Sequence, residues 1–581
     1  MIKWIDRYFW PLILLLYPLR HIHWGVDLWD TGYNYANFTY AGLEHMDGMW
    51  FFSTYLSNVV GHVLTLLPGG NTLLFLNFYT GLFVSLLALL AYYFLTVKVN
   101  IPASLVFLGE FVAISLCWCP TALLYNYLTY VFFLTGVILL YEGLVKEKPL
   151  LFILAGCALG LNVFVRFSNI PQAGLILAVW AYGVICKKKV GKVVKETLFC
   201  LAGYLAAVGA ILGTIAIRYG LGTYIDGIRR LFAMTDTATD YKATSMLFNV
   251  IWEYVDHLYW VTRLLVFMIL GLVLCLLLPE KWKKWKKVFC LVITVGSGVW
   301  LYSRNFCSMD YTTYACMMRP AILFLIITLF IAALRILQSR TPKEEKLLAG
   351  IIILVVLLTS LGSNNALFPS INNMFLAAPY VLWCCYRMLR SSSDLKVPFF
   401  KNLNIFMVKC MTVLFMLLFI YQSIGFGTRF IFAEAQGVRN IDTKVENNAI
   451  LKDIYTNKER AESISEISEY VFENELNGKE VLLYGQIPAL SFYLQMPAAI
   501  NPWSDLRSYQ LTYMEKDMTD LDVKIKAGKD LPVVILEITQ LSVTEDPKLN
   551  IILEFMGKHG YMQSFSNAKF VIFEAEKRVY D

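Results

Sequence analysis

Charged residues and cysteines are scarce in parts of this 581-residue chain. Asp, Glu, Lys and Arg make up only 16% of it, against about 25% in ordinary soluble proteins, while hydrophobic residues make up 58%, against about 45–50%. None of the 12 cysteines lies beyond Cys410, so disulfides do not hold the C-terminal region together. The composition excludes an ordinary soluble enzyme, an intrinsically disordered chain, a collagen-like repeat and a disulfide-stapled scaffold.

Apolar residues gather in runs of about 17–25, the length with which a helix crosses the roughly 30 Å hydrocarbon core of a bilayer. We therefore predict a polytopic α-helical membrane protein. Its thirteen predicted spans lie near residues 8–22, 72–97, 101–118, 122–144, 150–166, 170–186, 197–218, 258–278, 288–303, 319–337, 347–362, 374–389 and 404–426. The first span lacks a small-residue cleavage site, so we interpret it as a retained anchor.

Lys and Arg are concentrated in alternate loops between these spans. They occur in 3–7, 146–148, 187–195, 280–287, 339–346 and 387–396, whereas 21–71, 119–121 and 363–373 hold almost none. The positive-inside bias places the first set in the cytoplasm, which predicts a multi-pass protein of the cell membrane with an extracytoplasmic C-terminal region. The positive charge of these loops suits anionic membrane lipids and does not indicate a nucleic-acid partner.

The chain divides after the last predicted span into a membrane body, 1–426, and an acidic domain, 427–581. The domain holds 17 Lys and Arg against 24 Asp and Glu. Residues 457–476 have the spacing of an amphipathic helix, and three β-rich runs follow at 480–485, 531–538 and 568–575. We predict a small extracytoplasmic α/β domain. It lacks a glycine-rich phosphate loop, a nucleophile elbow and metal-spaced Cys or His residues, which favours a lid or docking module.

The outer loop 21–71 begins with an acidic motif. Asp27 and Asp30 directly follow a hydrophobic span, where an unused acid is costly. An acid at such a low-dielectric boundary can have a raised pKa and act as a general base near neutral pH. At this spacing the two acids can share one face of a helix or bind one divalent cation, for which Glu44 and His45 are further candidate ligands.

The same loop contains an apolar segment, 49–67, with polar residues at helical spacing, which predicts a helix in the membrane interface. An acid beside such a helix is where a lipid headgroup would arrive. The alternative is an ordinary interfacial loop, which is polar and aromatic because it faces headgroups and water.

This arrangement resembles the GT-C glycosyltransferases, which include protein O-mannosyltransferases, lipid A aminoarabinose transferases and oligosaccharyltransferases. The shared features are an N-terminal span, an acidic outer loop, interfacial helices, some thirteen spans and an extracytoplasmic C-terminal domain. The segment DTGYNY, 30–35, is similar to the family's Asp-Glu-x-x-Tyr pattern, with Asp30 at the motif aspartate. Thr31 replaces the second acid, and Asp27 is the candidate to take its part. The departure leaves the metal requirement open.

A second match is VFVRFSNIP, 163–171, which resembles the turn where family members place a cation near the donor phosphate. The resemblance makes Arg166 the candidate phosphate ligand, and snorkelling to the interface is the alternative. Three other outer arginines are weaker phosphate candidates: Arg229, Arg230 and Arg304. Tyr33 and four asparagines are candidates to bind the sugar or the acceptor: Asn364, Asn365, Asn372 and Asn373. Helix caps and turns explain the asparagines equally well.

The function that the resemblance implies is transfer of a sugar from a polyprenyl-phosphate donor to an acceptor hydroxyl on a lipid, glycan or protein. Asp30 would act as the general base, and the anomeric centre would be inverted. The alternative from another class is a lipid or solute transporter without covalent chemistry. Transporters usually have internal repeats and charges near the midplane, and this sequence shows no convincing repeat. Glu110 is the main charge within a predicted span.

Overall fold

The computed structural model describes residues 4–41, 48–117, 124–236, 243–397, 400–434, 437–506, 509–541 and 546–575. Up to residue 429 the chain is almost entirely helical. The helices of this membrane body are α1 Trp10–Leu16, α2 Asp30–Thr39, α3 Gly48–Ser53, α4 Tyr55–Thr65, α5 Leu73–Tyr93, α6 Ala103–Ser115, α7 Leu124–Lys146, α8 Pro149–Val165, α9 Leu177–Cys186, α10 Val190–Tyr219, α11 Leu221–Asp236, α12 Ala243–Leu277, α13 Lys283–Ser303, α14 Ala315–Leu337, α15 Lys343–Thr359, α16 Phe368–Asn372, α17 Ala377–Arg390 and α18 Phe406–Arg429. A hairpin of β1 Asp394–Val397 and β2 Phe400–Asn404 separates the last two helices.

Among the described residues, seven helices are long and apolar enough to cross a membrane. They are Leu73–Lys98, Leu124–Lys146, Phe167–Cys186, Val190–Tyr219, Met246–Leu277, Ala315–Leu337 and Phe406–Arg429, and two shorter apolar helices, α6 and α8, accompany them. The chain is therefore a polytopic helical membrane protein. The other predicted spans also coincide with helical segments, but each of these fails in length or in apolar character, so the count of thirteen stays a prediction.

Small residues allow the helices of the body to pack closely. A Cβ added at Gly156 of α8 would overlap the backbone carbonyl of Cys200 in α10, and one at Gly203 of α10 would overlap that of Ile153. Lipid tails are as apolar as leucine, so close backbone approach is a main source of helix association in a bilayer. The two glycines thus let α8 and α10 pack face to face below the acidic loop.

The C-terminal region is a small α/β domain, as the sequence predicts. Its elements are β3 Thr443–Lys444, β4 Tyr455–Thr456, α19 Lys458–Glu473, β5 Val481–Tyr484, α20 Leu490–Tyr493, α21 Leu511–Lys526, β6 Val533–Glu537, α22 Ile538–Leu541, α23 Pro547–His559, β7 Tyr561–Ser566 and β8 Phe570–Ala575. The main sheet has the order β5-β6-β8-β7, with β5 and β6 parallel and the other pairs antiparallel. The predicted helix and three predicted strands are confirmed, and β7 is a strand that the sequence reading missed.

Side chains along the central strands point alternately to the two faces of this sheet, and helices cover both faces. Leu483 and Ile535 pack with α19, whereas Leu482 and Val534 pack with α21 and α23. Caps set the helix ends: the Asn457 side chain accepts from the amide of Arg460 at the start of α19. Both faces of β5 and β6 are buried, which explains why these strands are continuous apolar runs.

The domain packs directly on the acidic loop and its helices. One core joins Val26, Leu28 and Tyr35 of the loop and α2 to residues of α19 and β5, and Met49 of α3 belongs to a second core formed with α21 and α23. The loop and the domain therefore lie on the same side of the membrane body, as the sequence predicts. That this side is extracytoplasmic stays a prediction.

Candidate functional site

Backbone hydrogen bonds from the C-terminal domain hold the segment that leads into the acidic motif. The amide of Gly25 donates to the carbonyl of Tyr455 at 2.8 Å, and the amide of Tyr455 donates to the carbonyl of His23 at 2.8 Å. Further on, the amide of Ala489 donates to the carbonyl of Leu28 at 3.0 Å. The segment is thus fixed from a domain that lies more than 400 residues away in sequence.

A buried ion pair fixes the residue just before the first acid. The Glu434 carboxylate, 3% exposed, accepts from the amide of Val26 at 3.1 Å. Arg460 Nη1 donates to the carbonyl of Val26 at 2.9 Å and lies 3.3 Å from Glu434 Oε1. Both polar groups of the Val26 backbone are therefore bound by one charged pair, which leaves little freedom in the position of Asp27.

Asp27 caps the helix that carries the second acid. Its carboxylate accepts from the amide of Trp29 at 2.8 Å, from the amide of Thr31 at 2.8 Å and from the hydroxyl of Thr31 at 3.0 Å. Burial raises the pKa of Asp27, and the bonds from Thr31 and Trp29 oppose that rise. The prediction that Asp27 and Asp30 share one helical face is wrong, because Asp27 lies before α2 and accepts from the amide of Thr31, the second residue of that helix.

Asp30 is the first residue of α2 and is only partly accessible to solvent. Burial and, after it, the negative charge of Asp27 raise the pKa of Asp30 from the usual 3.8 to about 7, although the positive charge of Arg166 opposes the rise. A carboxyl with a pKa near 7 exchanges its proton readily at neutral pH. Of the two acids, Asp30 is therefore the one with the properties of a general base.

Arg166 stands at the C-terminal end of α8, close enough for its charge to act on Asp30. Its guanidinium lies 5.2 Å from the centre of the Tyr125 ring, and Nη1 is 3.4 Å from Asn126 Oδ1. The side chain is partly exposed and contacts neutral groups of α7, and among the described residues no carboxylate forms an ion pair with it. The structure thus brings the predicted base and the predicted phosphate ligand together.

Aromatic rings cover α2 one turn beyond Asp30. Tyr33 is 5% exposed and makes edge-on contacts with Trp50 of α3 at 6.2 Å and with Trp503 of the C-terminal domain at 5.9 Å. Gly32 lies against the domain as well, where an added Cβ would be 2.5 Å from Ala489 Cβ. The absence of a side chain at Gly32 thus lets α2 touch the domain.

The remaining predicted phosphate ligands are placed elsewhere or already paired. Arg230 lies on α11 and binds Asp517 of the domain at 3.0 Å, while Arg229 beside it is exposed. Arg304 ends α13 and is exposed, and its carbonyl accepts from Arg319. None of the contacts among the described residues joins these three arginines to Asp30 or Arg166, and Arg230 fastens α11 to the domain.

The four asparagines lie in and after the turn that follows α15. Asn365 is exposed, and its carbonyl accepts from the amide of Phe368 at 3.0 Å, as in a turn. Asn364 is half-buried. Asn372 and Asn373 are buried in the helix bundle, and Asn373 Nδ2 donates to Thr359 at 3.2 Å. The bond at Asn365 is that of a turn, the alternative given above for these residues, and binding of a sugar or acceptor by the four asparagines stays a prediction.

The candidate metal ligands fit a metal poorly. Asp27 uses both carboxylate oxygens for donors of its own chain, as described above. No group of three or more His, Cys, Asp or Glu side chains in the described part of the chain has the arrangement to hold a metal ion. Glu44 and His45 lie outside the described residues. We therefore derive no chemistry through a metal at Asp27 and Asp30.

The interfacial segment is two helices, whereas one was predicted over 49–67. The break falls at Thr54, with φ −129° and ψ 36°, between α3 and α4. Its hydroxyl donates to the carbonyl of Trp50 at 3.0 Å and lies 3.1 Å from Asn58 Nδ2. A hydroxyl that competes for backbone carbonyls in this way offers an alternative to a continuous helix. The bend directs α3 towards Tyr33 and the domain.

No protein family model matches the chain, and comparison with curated proteins finds no significant match. The GT-C resemblance therefore rests on the topology and the motifs around Asp30 and Arg166.

Proposed function

We propose that the protein is a membrane glycosyltransferase that uses a polyprenyl-phosphate sugar as donor and a hydroxyl group as acceptor. The observation that carries the proposal is that Asp30, with a pKa raised to about 7, lies within electrostatic reach of Arg166, a partly exposed cation without an ion pair in the described part of the chain. A base poised at neutral pH beside an uncancelled cation suits a reaction that removes a proton and releases a phosphate.

The reaction follows from the roles of these two side chains. Asp30 accepts the proton of the acceptor hydroxyl while the oxygen of that hydroxyl forms a bond to the anomeric carbon of the sugar. The bond from that carbon to the phosphate oxygen breaks on the opposite face, so the configuration inverts. Arg166 stabilises the charge that builds up on the departing polyprenyl phosphate. Asp27 keeps α2 in place and holds the pKa of Asp30 high.

Enclosure by the C-terminal domain supports a site that excludes water. The domain binds the loop before Asp27, and Trp503 covers Tyr33 on the turn after Asp30. Water would compete with the acceptor hydroxyl for a reactive sugar, so a covered site suits transfer better than hydrolysis. This gives the domain a positioning role in the proposed reaction.

The decisive experiment compares purified Asp30→Asn with Asp310→Asn in mild detergent. Asp310 is an exposed acid in the loop between α13 and α14 and serves as the matched control. With extracted polyprenyl-phosphate sugars and extracted envelope acceptors, Asp30→Asn should lower turnover roughly 10²–10⁴-fold, and the control should not. Full turnover by Asp30→Asn would remove the base assignment.

Co-purifying lipid tests the donor directly. Mass spectrometry of the wild-type protein should find polyprenyl phosphate or its glycosylated form, which Arg166→Ala loses and Arg439→Ala keeps. Arg439 is an exposed arginine at the start of the C-terminal domain. Equal retention by both variants would leave Arg166 without a role in donor binding.

One observation favours the second candidate, a transporter. Glu110 of α6 is completely buried, and neither carboxylate oxygen has a hydrogen-bond partner among the described residues. Ionisable groups inside a membrane body often mark proton or ion pathways. Proton-coupled lipid or solute flux in vesicles, lost in Glu110→Gln and kept in Asp30→Asn, would favour transport over transfer.

A further inference from the structure

An apolar groove lies between four helices of the membrane body. It has a volume of about 780 Å³ and lies between α12, α14, α17 and α18. Leu264, Ile327, Phe330 and Phe415 are typical of its lining. Three of these helices belong to the seven that are long and apolar enough to span a membrane. A groove of this kind faces hydrocarbon, so its occupant must itself be largely apolar.

One end of the groove is polar and positively charged. Arg335, Gln338, Arg387 and Ser391 line it there. Glu345 lies behind them, with Arg335 Nη2 at 2.6 Å from Oε1 and Arg387 Nη1 at 3.1 Å from the same oxygen. Two guanidinium groups thus share one carboxylate, which leaves a net positive charge.

The two arginines differ in how much of each side chain is open to a ligand. The Arg387 side chain is 44% exposed and lies over the Trp383 ring at 4.7 Å, whereas the Arg335 side chain is 19% exposed. Lys409 adds a third cation nearby, where its ammonium donates to the carbonyl of Ser391 at 2.5 Å. The charged end is therefore pre-formed, with Arg387 as the accessible group.

This charged end lies on the membrane face opposite Asp30. Tyr314, just before α14, contacts Phe430 at 6.4 Å between ring centres, and Phe430 lines one small cavity together with Asp27. Helix α14 then runs through 23 residues, about 35 Å, to its other end beside Arg335. A donor phosphate bound at Arg166 would therefore be a full membrane thickness away from Arg387.

We propose that the groove binds an anionic glycerophospholipid of the leaflet opposite the acidic site. Its acyl chains lie between α12, α14, α17 and α18, and its phosphate sits at Arg387 and Arg335. Charge complementarity identifies the occupant, because basic pockets between spanning helices select anionic headgroups. The proposal is independent of the glycosyltransferase function, since it concerns a different face and a different lipid.

Native mass spectrometry of the purified protein in an equimolar mixture of phosphatidylglycerol and phosphatidylethanolamine tests this site. We expect more phosphatidylglycerol than phosphatidylethanolamine on the wild-type protein, and an about fivefold smaller preference in Arg387→Gln. Arg340→Gln is the matched control, because Arg340 is exposed beside α14 and does not line the groove. Its preference should equal that of the wild type.

A second variant tests the groove without changing any charge. Ile327→Trp adds bulk among the lining residues and should reduce the binding of both phospholipids while Glu345 keeps its partners. Equal binding of the two lipids by the wild type, or an equal preference in Arg387→Gln and Arg340→Gln, would overturn the proposal. Unchanged lipid binding by Ile327→Trp would do the same. The proposal would also be overturned if the wild-type protein retained polyprenyl phosphate in place of phospholipid, and if Arg387→Gln and Ile327→Trp lost that polyprenyl phosphate.

Discussion

Replacing Gly32 by alanine should separate the helix of Asp30 from the C-terminal domain. An added Cβ would lie 2.5 Å from Ala489 Cβ and 2.9 Å from the Tyr493 ring, about 1 Å or more inside ordinary contact distance. The hydroxyl of Tyr493 donates to the carbonyl of Asp27 at 2.6 Å, so this ring cannot withdraw without loss of that bond. Overpacking of this kind costs about 1–3 kcal/mol.

Gly209 in the middle of α10 is the matched control. A Cβ there would meet no atom within 4 Å. Glycine to alanine at an open helical position should stabilise by up to about 1 kcal/mol, so the two variants should differ by about 1–4 kcal/mol. Thermal unfolding in detergent measures the difference, and limited proteolysis should release the C-terminal domain faster from Gly32→Ala alone. Equal stability of the two variants would contradict the close contact between α2 and the domain.

Three further predictions concern the same site. The raised pKa of Asp30 means that the folded state holds its proton more tightly than the unfolded state, so stability falls as pH rises from about 4 to about 7. At pH 8, Asp30→Asn should therefore be more stable than the wild type by up to about 3 kcal/mol in free energy of unfolding, after allowance for partial exposure, and should unfold at a higher temperature. At pH 4 the two proteins should differ little, and no gain in stability at pH 8 would refute the prediction. Asp27→Asn removes a negative charge beside Asp30, so the acid limb of a pH–activity profile should move to lower pH. It should not reach the usual aspartate range, because burial is the larger cause of the raised pKa of Asp30. A shift to higher pH would contradict the electrostatic effect of Asp27 on Asp30. Arg460→Gln leaves Glu434 buried without its cation and should cost about 3–5 kcal/mol in thermal unfolding, whereas the exposed Arg439→Gln should cost little.

Sequence reasoning reached both side chains of the candidate pair but not the reason for their properties. Asp30 stands out as an acid after a hydrophobic span, and Arg166 as an outer cation in a short motif. Glu434 and Arg460 gave no such signal, because a charged pair in an acidic domain is usually exposed. Only contact with Val26 makes them part of the site.

The roles of Asp27 and Thr54 could not be predicted from spacing alone. Two acids three residues apart fit one helical face, but the helix begins at the second acid, and the first lies before it and binds the free amide of Thr31. The segment 49–67 has a continuous helical pattern, but the helix is interrupted at Thr54, where the backbone leaves the helical conformation. Periodicity alone indicates neither the start of α2 nor the break between α3 and α4.

The sequence by itself determined the class of protein. Run length and hydropathy establish a polytopic helical membrane body, since a helix in a bilayer must satisfy its own backbone and present apolar side chains. Apolar β-rich runs and one amphipathic helix establish the α/β domain, and the sequence places Asp27 and Asp30 directly after a hydrophobic span.

The tertiary structure decided the chemistry that we propose for Asp30. A carboxyl titrates near pH 7 only when burial and neighbouring charges oppose its ionisation. For Asp30, burial and the charge of Asp27 oppose ionisation, while Arg166 at the end of α8 favours it. The loop that carries Asp27 is held by a domain that begins some 400 residues later. Burial and electrostatic contact depend on distance in space, which the order of residues along the chain does not specify.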